Sequence, residues 1–296
     1  MTLGFGIYAP SGFATEPAAV ARAADRLVAM GHRVVVDECA TARFQRFAGT
    51  DDERLAAIAR IAAHHDVDVA LAVRGGYGWT RLLPRIDFGA LAARGQRWLG
   101  HSDFTAFQLA ALARAGMTSF AGPMAAYDFG AVEPSAYTLE HCMAVLESPR
   151  HAFDAALDGP DIEASGTLWG GNLALVASLV GTPYLPSIDG GVLFLEDVAE
   201  HPYRIERMLW QLHLAGVLAR QRVVLLGAFT EYAPSPNDGG YDFAAMVAAM
   251  RDVIGVPLYT GLPFGHIRDK LTLPVGGRAL LRVRDGAALV ALSDYR

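Results

Sequence analysis

A serine nucleophile needs a base within hydrogen-bond reach and a third group to orient that base. Ser102 stands in Gly100-His101-Ser102-Asp103-Phe104-Thr105, between the apolar run Trp98-Leu99-Gly100 and an amphipathic segment from Ala106 to Ala115. The pattern predicts a strand, a sharp turn and a serine in the first turn of a helix, where unpaired backbone N–H groups and the helix dipole favour an oxyanion. The same position suits a helix-capping serine, and the stretch lacks the second glycine of Gly-x-Ser-x-Gly. The local sequence leaves both readings open.

Nine histidines are available as a base. His64 and His65 lie at a helix end, His141, His201 and His213 sit in or beside helices, and His101 is chain-adjacent to Ser102, where neighbouring side chains diverge. His266 follows the loop Gly261-Leu262-Pro263-Phe264-Gly265 after an apolar strand, a place where side chains are presented to solvent or ligand. It is either a presented base or an ordinary loop histidine. Glu196 closes the hydrophobic run Val192-Leu193-Phe194-Leu195; a carboxylate desolvated there needs a partner, which a histidine can provide, while a solvated strand end or a capping pair with Asp197 is the competing reading.

A second presented stretch is Arg74-Gly75-Gly76-Tyr77-Gly78-Trp79, at the carboxyl end of the apolar run Val67–Val73. Glycines there let backbone N–H groups approach a ligand, and open α/β sheets bind ligands at that edge. Arg74 is placed either to clamp a carboxylate or to stand at the surface.

Other chemistries have less support. No His-Glu-x-x-His and no spaced His/Cys cluster is present, so no metal and no cofactor is expected. The glycines at 4, 6 and 12 are wrongly spaced for a dinucleotide fingerprint. Cys39 and Cys142 give no disulfide framework, the formal net charge is −6 with one lysine, Lys270, and no basic cluster occurs. Neither nucleic acid nor a membrane is expected as partner, and with no signal peptide pattern at Met1–Pro10 the expected location is cytoplasmic.

The elements that must position these residues alternate regularly. At 296 residues and 52% hydrophobic composition the chain fills one large or two ordinary domains. Leu3–Tyr8, Glu16–Met30 and Arg33–Asp37 read as a βαβ unit, and Asp51–His65 as a helix with acidic residues in its first turn. Further strands are expected at Arg97–Gly100 and Thr118–Phe120, and a helix at Pro134–Leu146. Alternation stops where Pro149, Gly159, Pro160 and Gly166 interrupt periodicity. The expected division is a domain over 1–150, a linker over 151–168 and a strand-rich domain over 169–296, ending in a hairpin about Asp285-Gly286. The loop Glu231–Gly240 is expected to border a cleft or an interface.

At these residues the chain resembles the muramoyl tetrapeptide LD-carboxypeptidases, serine peptidase family S66, a group that includes microcin self-immunity peptidases. The stretches that carry the resemblance include Phe47-Ala48-Gly49-Thr50-Asp51, Arg74-Gly75-Gly76-Tyr77-Gly78, Gly100-His101-Ser102-Asp103-Phe104-Thr105, Gly122-Pro123-Met124, Gly166-Thr167-Leu168-Trp169-Gly170-Gly171-Asn172, Leu195-Glu196-Asp197, Pro202–Leu209 and Gly265-His266. The resemblance implies an α/β architecture: a flavodoxin-like or class I amidotransferase-like parallel-sheet N-terminal domain and a swivelling mixed β/α C-terminal domain, in a homodimer. It implies Ser102 as nucleophile, His266 as base and Glu196 as orienting acid, acting on cytoplasmic muropeptide tetrapeptides to release terminal D-alanine in peptidoglycan recycling. Chemistry then places the oxyanion against the amides of Asp103 and of Gly75 or Gly76, and the free carboxylate against Arg74, with Tyr77 and Asn172 as further peptide-binding candidates. A microcin-type peptidase cleaving peptidyl-nucleotides would need an aromatic sandwich, for which Trp79 and Trp169 are the candidates. A non-catalytic muropeptide binder is the remaining alternative.

Overall fold

The computed structural model describes residues 1–295 and has two sheets joined by helices. Five parallel strands build the first: β1 (Gly4–Tyr8), β2 (Arg33–Val36), β3 (Val69–Ala72), β4 (Arg97–Gly100) and β5 (Ser119–Ala121). They lie in the order β2-β1-β3-β4-β5. The order reverses between β1 and β3, and the crevice outside the carboxyl ends of the strands at such a reversal is where open α/β sheets place ligands. β1, β3 and most of β4 are buried, which explains their near-continuous apolar runs.

The helices between them form where the sequence supplies their ends. Thr50 and Glu53 make a reciprocal capping box on the Asp51–Ala63 helix, with Glu53 Oε2 accepting from the Thr50 amide at 2.7 Å. Gly116, at φ +60°, closes the Phe104–Ala115 helix in the left-handed conformation that glycine tolerates best.

The second sheet holds β6 (His151–Ala156), β7 (Ile162–Asn172), β8 (Gly191–Val198), β9 (Gln221–Thr230) and β10 (Leu258–Thr260). β11 (Leu273–Val275) then crosses back to pair antiparallel with β5. β12 (Arg278–Arg284) and β13 (Ala287–Ser293) return as a hairpin whose turn residues Asp285 and Gly286 both have positive φ, as a two-residue loop of this hand requires. The order β10-β9-β8-β7-β12-β13-β6 is parallel from β7 to β10 and antiparallel elsewhere, a mixed sheet. Among the described residues no helix is long and apolar enough to cross a membrane.

Two expectations change here. Residues 151–168, expected as a linker, carry β6 and most of β7 and are integral to the second sheet. The expected C-terminal domain likewise gives β11 to the first sheet, so the chain crosses between the two sheets three times, after β5, after β10 and after β11. Helix Phe104–Ala115 makes the contact that matters for the site: a Cβ at Gly171 would collide with Thr105, whose Oγ1 accepts a 3.0 Å hydrogen bond from the Asn172 amide.

Candidate active site

Ser102 follows β4 and has φ +63°, a left-handed conformation that costs a non-glycine residue about 1–2 kcal/mol. That turn lifts its side chain from the sheet edge into the cleft, as in a strand-turn-helix nucleophile elbow. Two neighbours must be small for it to form. A Cβ on Gly100 would lie 2.5 Å from the Phe104 ring, and one on Gly75 would lie 2.9 Å from Ser102 Cβ. The helix-capping reading is set aside: Asp103 occupies the N-cap position and no side chain caps it. Among the described residues Ser102 Oγ takes part in no hydrogen bond, and the amides of Gly75, Gly76 and Asp103 donate none.

The Asp103 side chain faces the other way. Its Oδ2 accepts from Ser11 Oγ at 2.7 Å and from the Trp79 amide at 3.1 Å, so it pins the start of the Phe104–Ala115 helix to the loop that follows Gly75 and Gly76. Burial raises its pKa, against the lowering effect of those two hydrogen bonds.

Glu196 is wholly buried two residues before the end of β8, and its Oε2 accepts from His266 Nδ1 at 2.7 Å. That bond leaves Nε2 of the neutral imidazole as the basic nitrogen. Burial pulls the His266 pKa down, but the hydrogen bond to Glu196 and its charge outweigh burial, and the net shift is upward. Behind Glu196, Asn172 Nδ2 donates to Glu196 Oε1 at 3.3 Å and to Asp197 Oδ1 at 2.8 Å. Asp197 also accepts from the Ala174 and Val198 amides, and burial, with the Glu196 charge adding to it, pushes its carboxyl up to about 6. Asn172 is therefore turned to the back of Glu196, its carboxamide committed there and to the Leu175 amide, rather than to the cleft where a peptide would lie.

Ser102, His266, Arg74, Gly75 and Gly76 all line one cavity of about 600 Å³. Its wall adds Tyr127, Arg268, Glu133, Glu231 and the ion pair of Lys270 Nζ with Asp128 Oδ1 at 2.7 Å. Glu231 places the start of the 231–240 loop at the cavity. Arg74 donates to the Phe13 carbonyl at 3.2 Å and has its guanidinium 5.5 Å from the centre of the Tyr127 ring. Tyr77 is not on this wall; it packs on Phe47 and under Arg46. Trp79 and Trp169 are core residues, the first against Phe104 and Phe107, the second hydrogen-bonded to Gln221, so neither reaches the cleft.

Sequence reasoning passed over Tyr127 and His101. Tyr127 sits in the single π-helical turn Ala125–Phe129, which shows no periodic signal. His101 does diverge from Ser102, but it diverges onto the hydrogen-bonded pair of Glu196 and His266: its ring centre is 4.6 Å from that of His266, and its Nε2 is 3.9 Å from Glu196 Oε2. Burial holds its pKa well below the ordinary histidine value.

A hydroxyl on an elbow, free amides beside it and a carboxylate-bound imidazole in one cleft make a site suited to acyl transfer. The known proteins it is similar to agree. Two family models match, the LD-carboxypeptidase N-terminal domain over residues 5–122 and the LD-carboxypeptidase C-terminal domain over residues 165–281. The murein tetrapeptide carboxypeptidase of Pseudomonas aeruginosa is 34% identical over 252 residues, 81% of this chain and 80% of that one. The chain belongs to the LD-carboxypeptidase family. It is a serine-type carboxypeptidase, a hydrolase. The crystal structure of muramoyltetrapeptide carboxypeptidase from Oxalobacter formigenes superposes on this LD-carboxypeptidase with a TM-score of 0.93 at 44% identity, covering 99% of both chains. The microcin C7 self-immunity protein shares the fold, with a TM-score of 0.90 at 21% identity over 100% of this chain and 97% of that one.

Proposed function

We propose that this enzyme releases the terminal D-alanine of muropeptide tetrapeptides by cutting the bond between an L-diamino acid and D-Ala. The observation that carries the reading is the 2.7 Å bond of His266 Nδ1 to the buried Glu196, beside a cavity that also receives Ser102. His266 Nε2 takes the Ser102 proton as Oγ attacks the carbonyl of the third residue. The negative charge on that carbonyl oxygen is met by the amides of Asp103 and of Gly75 or Gly76. His266 returns the proton to the leaving amine of D-Ala, and water then hydrolyses the acyl-enzyme through the same base.

Arg74 binds the free carboxylate of the substrate, which an exopeptidase must recognise. Asn172 and Asp197 act as positioning residues, holding Glu196 so that its second oxygen faces His266. The relatives named for murein and muramoyl tetrapeptides support this substrate class. The peptidyl-nucleotide reading has less to stand on, since Trp79 and Trp169 are buried and Tyr127 is the one non-histidine aromatic on the cavity wall. A flavodoxin-like first layer, a second layer that swivels, a homodimer and a cytoplasmic role in peptidoglycan recycling belong to the same reading and rest on the family resemblance. Light scattering and cell fractionation test the dimer and the location.

The deciding assay is release of free D-alanine from a purified tetrapeptide, in the presence of EDTA, by the native chain and by Ser102→Ala. Release by the native chain alone is expected. Release by both would remove Ser102 from the mechanism, and release by neither would remove the substrate assignment.

A further inference from the structure

Three donor atoms of unlike origin converge behind the nucleophile. A donor nitrogen from each of His101 and His266 and a Glu196 carboxylate oxygen all lie within 4.8 Å of one another. His101 is 2% exposed, yet its Nε2 has no hydrogen-bond partner among the described residues and stands 3.9 Å from Glu196 Oε2, too far for a hydrogen bond. His101 and His266 both border the cavity, which gives an entry path. The acyl-transfer chemistry has no use for His101.

We propose that His101, Glu196 and His266 form an inhibitory site for a zinc-class divalent cation. Two imidazoles and one carboxylate, with solvent as fourth ligand, are a donor set that zinc accepts in tetrahedral geometry. Donors about 3.3 Å apart surround such an ion at ordinary bond lengths. Two of the three present spacings bracket that figure, 2.7 Å between His266 Nδ1 and Glu196 Oε2 and 3.9 Å from the same oxygen to His101 Nε2, and the third, between the imidazole nitrogens, is within 4.8 Å. Capture needs the first pair to open and the second to close, each by roughly half an ångström.

The ion and the reaction exclude each other for a reason of proton placement. Coordination through Nδ1 uses a lone pair there, so the proton that Nδ1 held in its hydrogen bond to Glu196 leaves and Nε2 takes one up, the imidazole staying neutral in its other tautomer. An imidazole protonated at Nε2 cannot accept the Ser102 proton, and the base is lost with no net proton released. Inhibition rests on the acyl-transfer reading, whereas binding does not, so the two fail separately.

The test is calorimetric titration of the full chain with zinc chloride, paired with the visible absorption of cobalt(II) as a probe of tetrahedral coordination. Native protein, His101→Phe, His101→Gln and the double variant His64→Ala/His65→Ala are compared, because His64, His65 and Asp66 form the other cluster among the described residues that could hold an ion. One equivalent is expected at this site, with D-alanine release inhibited in proportion to occupancy and restored by EDTA. Each His101 variant should weaken that binding by roughly 100-fold or more, beyond what loss of an outer partner costs. The His64/His65 variant should leave it intact. Native-like affinity in whichever His101 variant folds, or no uptake by the native chain, overturns the proposal. Uptake and cobalt absorption without any D-alanine release would keep the site and remove the assigned reaction.

Discussion

The backbone amide of Asn172 donates to Thr105 Oγ1 at 3.0 Å, joining the first turn of the helix that starts beyond Ser102 to the strand end that supports Glu196. One residue thus links both halves of the site, since its side chain holds Glu196 while its main chain is tied to the helix that follows Ser102. Thr105→Val keeps the shape but leaves a buried N–H unpaired, a cost of about 1–3 kcal/mol. We expect a destabilised protein whose kcat falls by about tenfold or more while KM changes little, because misalignment of reacting groups is felt in turnover. Steady-state kinetics beside chemical denaturation read both effects; native kcat in a destabilised variant would show that this bond does not align the site.

The pH profile follows from His266. As the proposed general base His266 must be neutral to act, and its pKa is raised above the ordinary 6.5, so kcat/KM should fall as pH drops, with a midpoint above 6.5. In Glu196→Gln the charge that offsets burial is gone. The acid limb should then move below 6.5 while kcat drops, and an unmoved limb would detach it from His266.

Gly75→Ala tests the oxyanion side. The added methyl would sit 2.9 Å from Ser102 Cβ, so the loop bearing the Gly75 and Gly76 amides must shift. Loss of one such donor costs about 10²–10³ in kcat. A drop of that size with a melting temperature close to native is the expected result, and wild-type kcat would free both amides from the role.

Arg74→Ala and Tyr77→Ala separate two residues that are three apart in sequence and face different surroundings. Loss of the Arg74 guanidinium from the cavity should lower kcat/KM by about tenfold or more, whereas removing the Tyr77 ring from Phe47 should change it by less than about twofold. Kinetics on one tetrapeptide substrate decides both, and equal losses would mean that the wall of the cavity does not discriminate between them.

Much of this was written in local pattern. The strands β1, β3 and β8 are continuous apolar runs because they are covered on both faces, and Ser102 and Glu196 were visible as polar residues where such runs stop. The β12–β13 hairpin was legible because Asp-Gly fits a turn that demands positive φ. The strands β6 and β7 were hidden inside an expected linker. Their outer stretches, His-Ala-Phe-Asp-Ala-Ala and Ile-Glu-Ala-Ser-Gly, bury only Phe153 in the first and the small residues Ala164 and Gly166 in the second, so few large apolar side chains mark them as strands.

What the sequence by itself determined is the residue types and the strand ends at which the chemistry stands, since both follow from local hydrophobic pattern. Tertiary structure alone decided direction and company. The left-handed turn at Ser102 and the return of β11 to the first sheet set which side chains meet, placing Tyr127 rather than Tyr77 on the wall, Asn172 behind Glu196, and His101 beside His266. Such contacts join residues far apart in the chain and depend on backbone torsions that no local periodicity encodes.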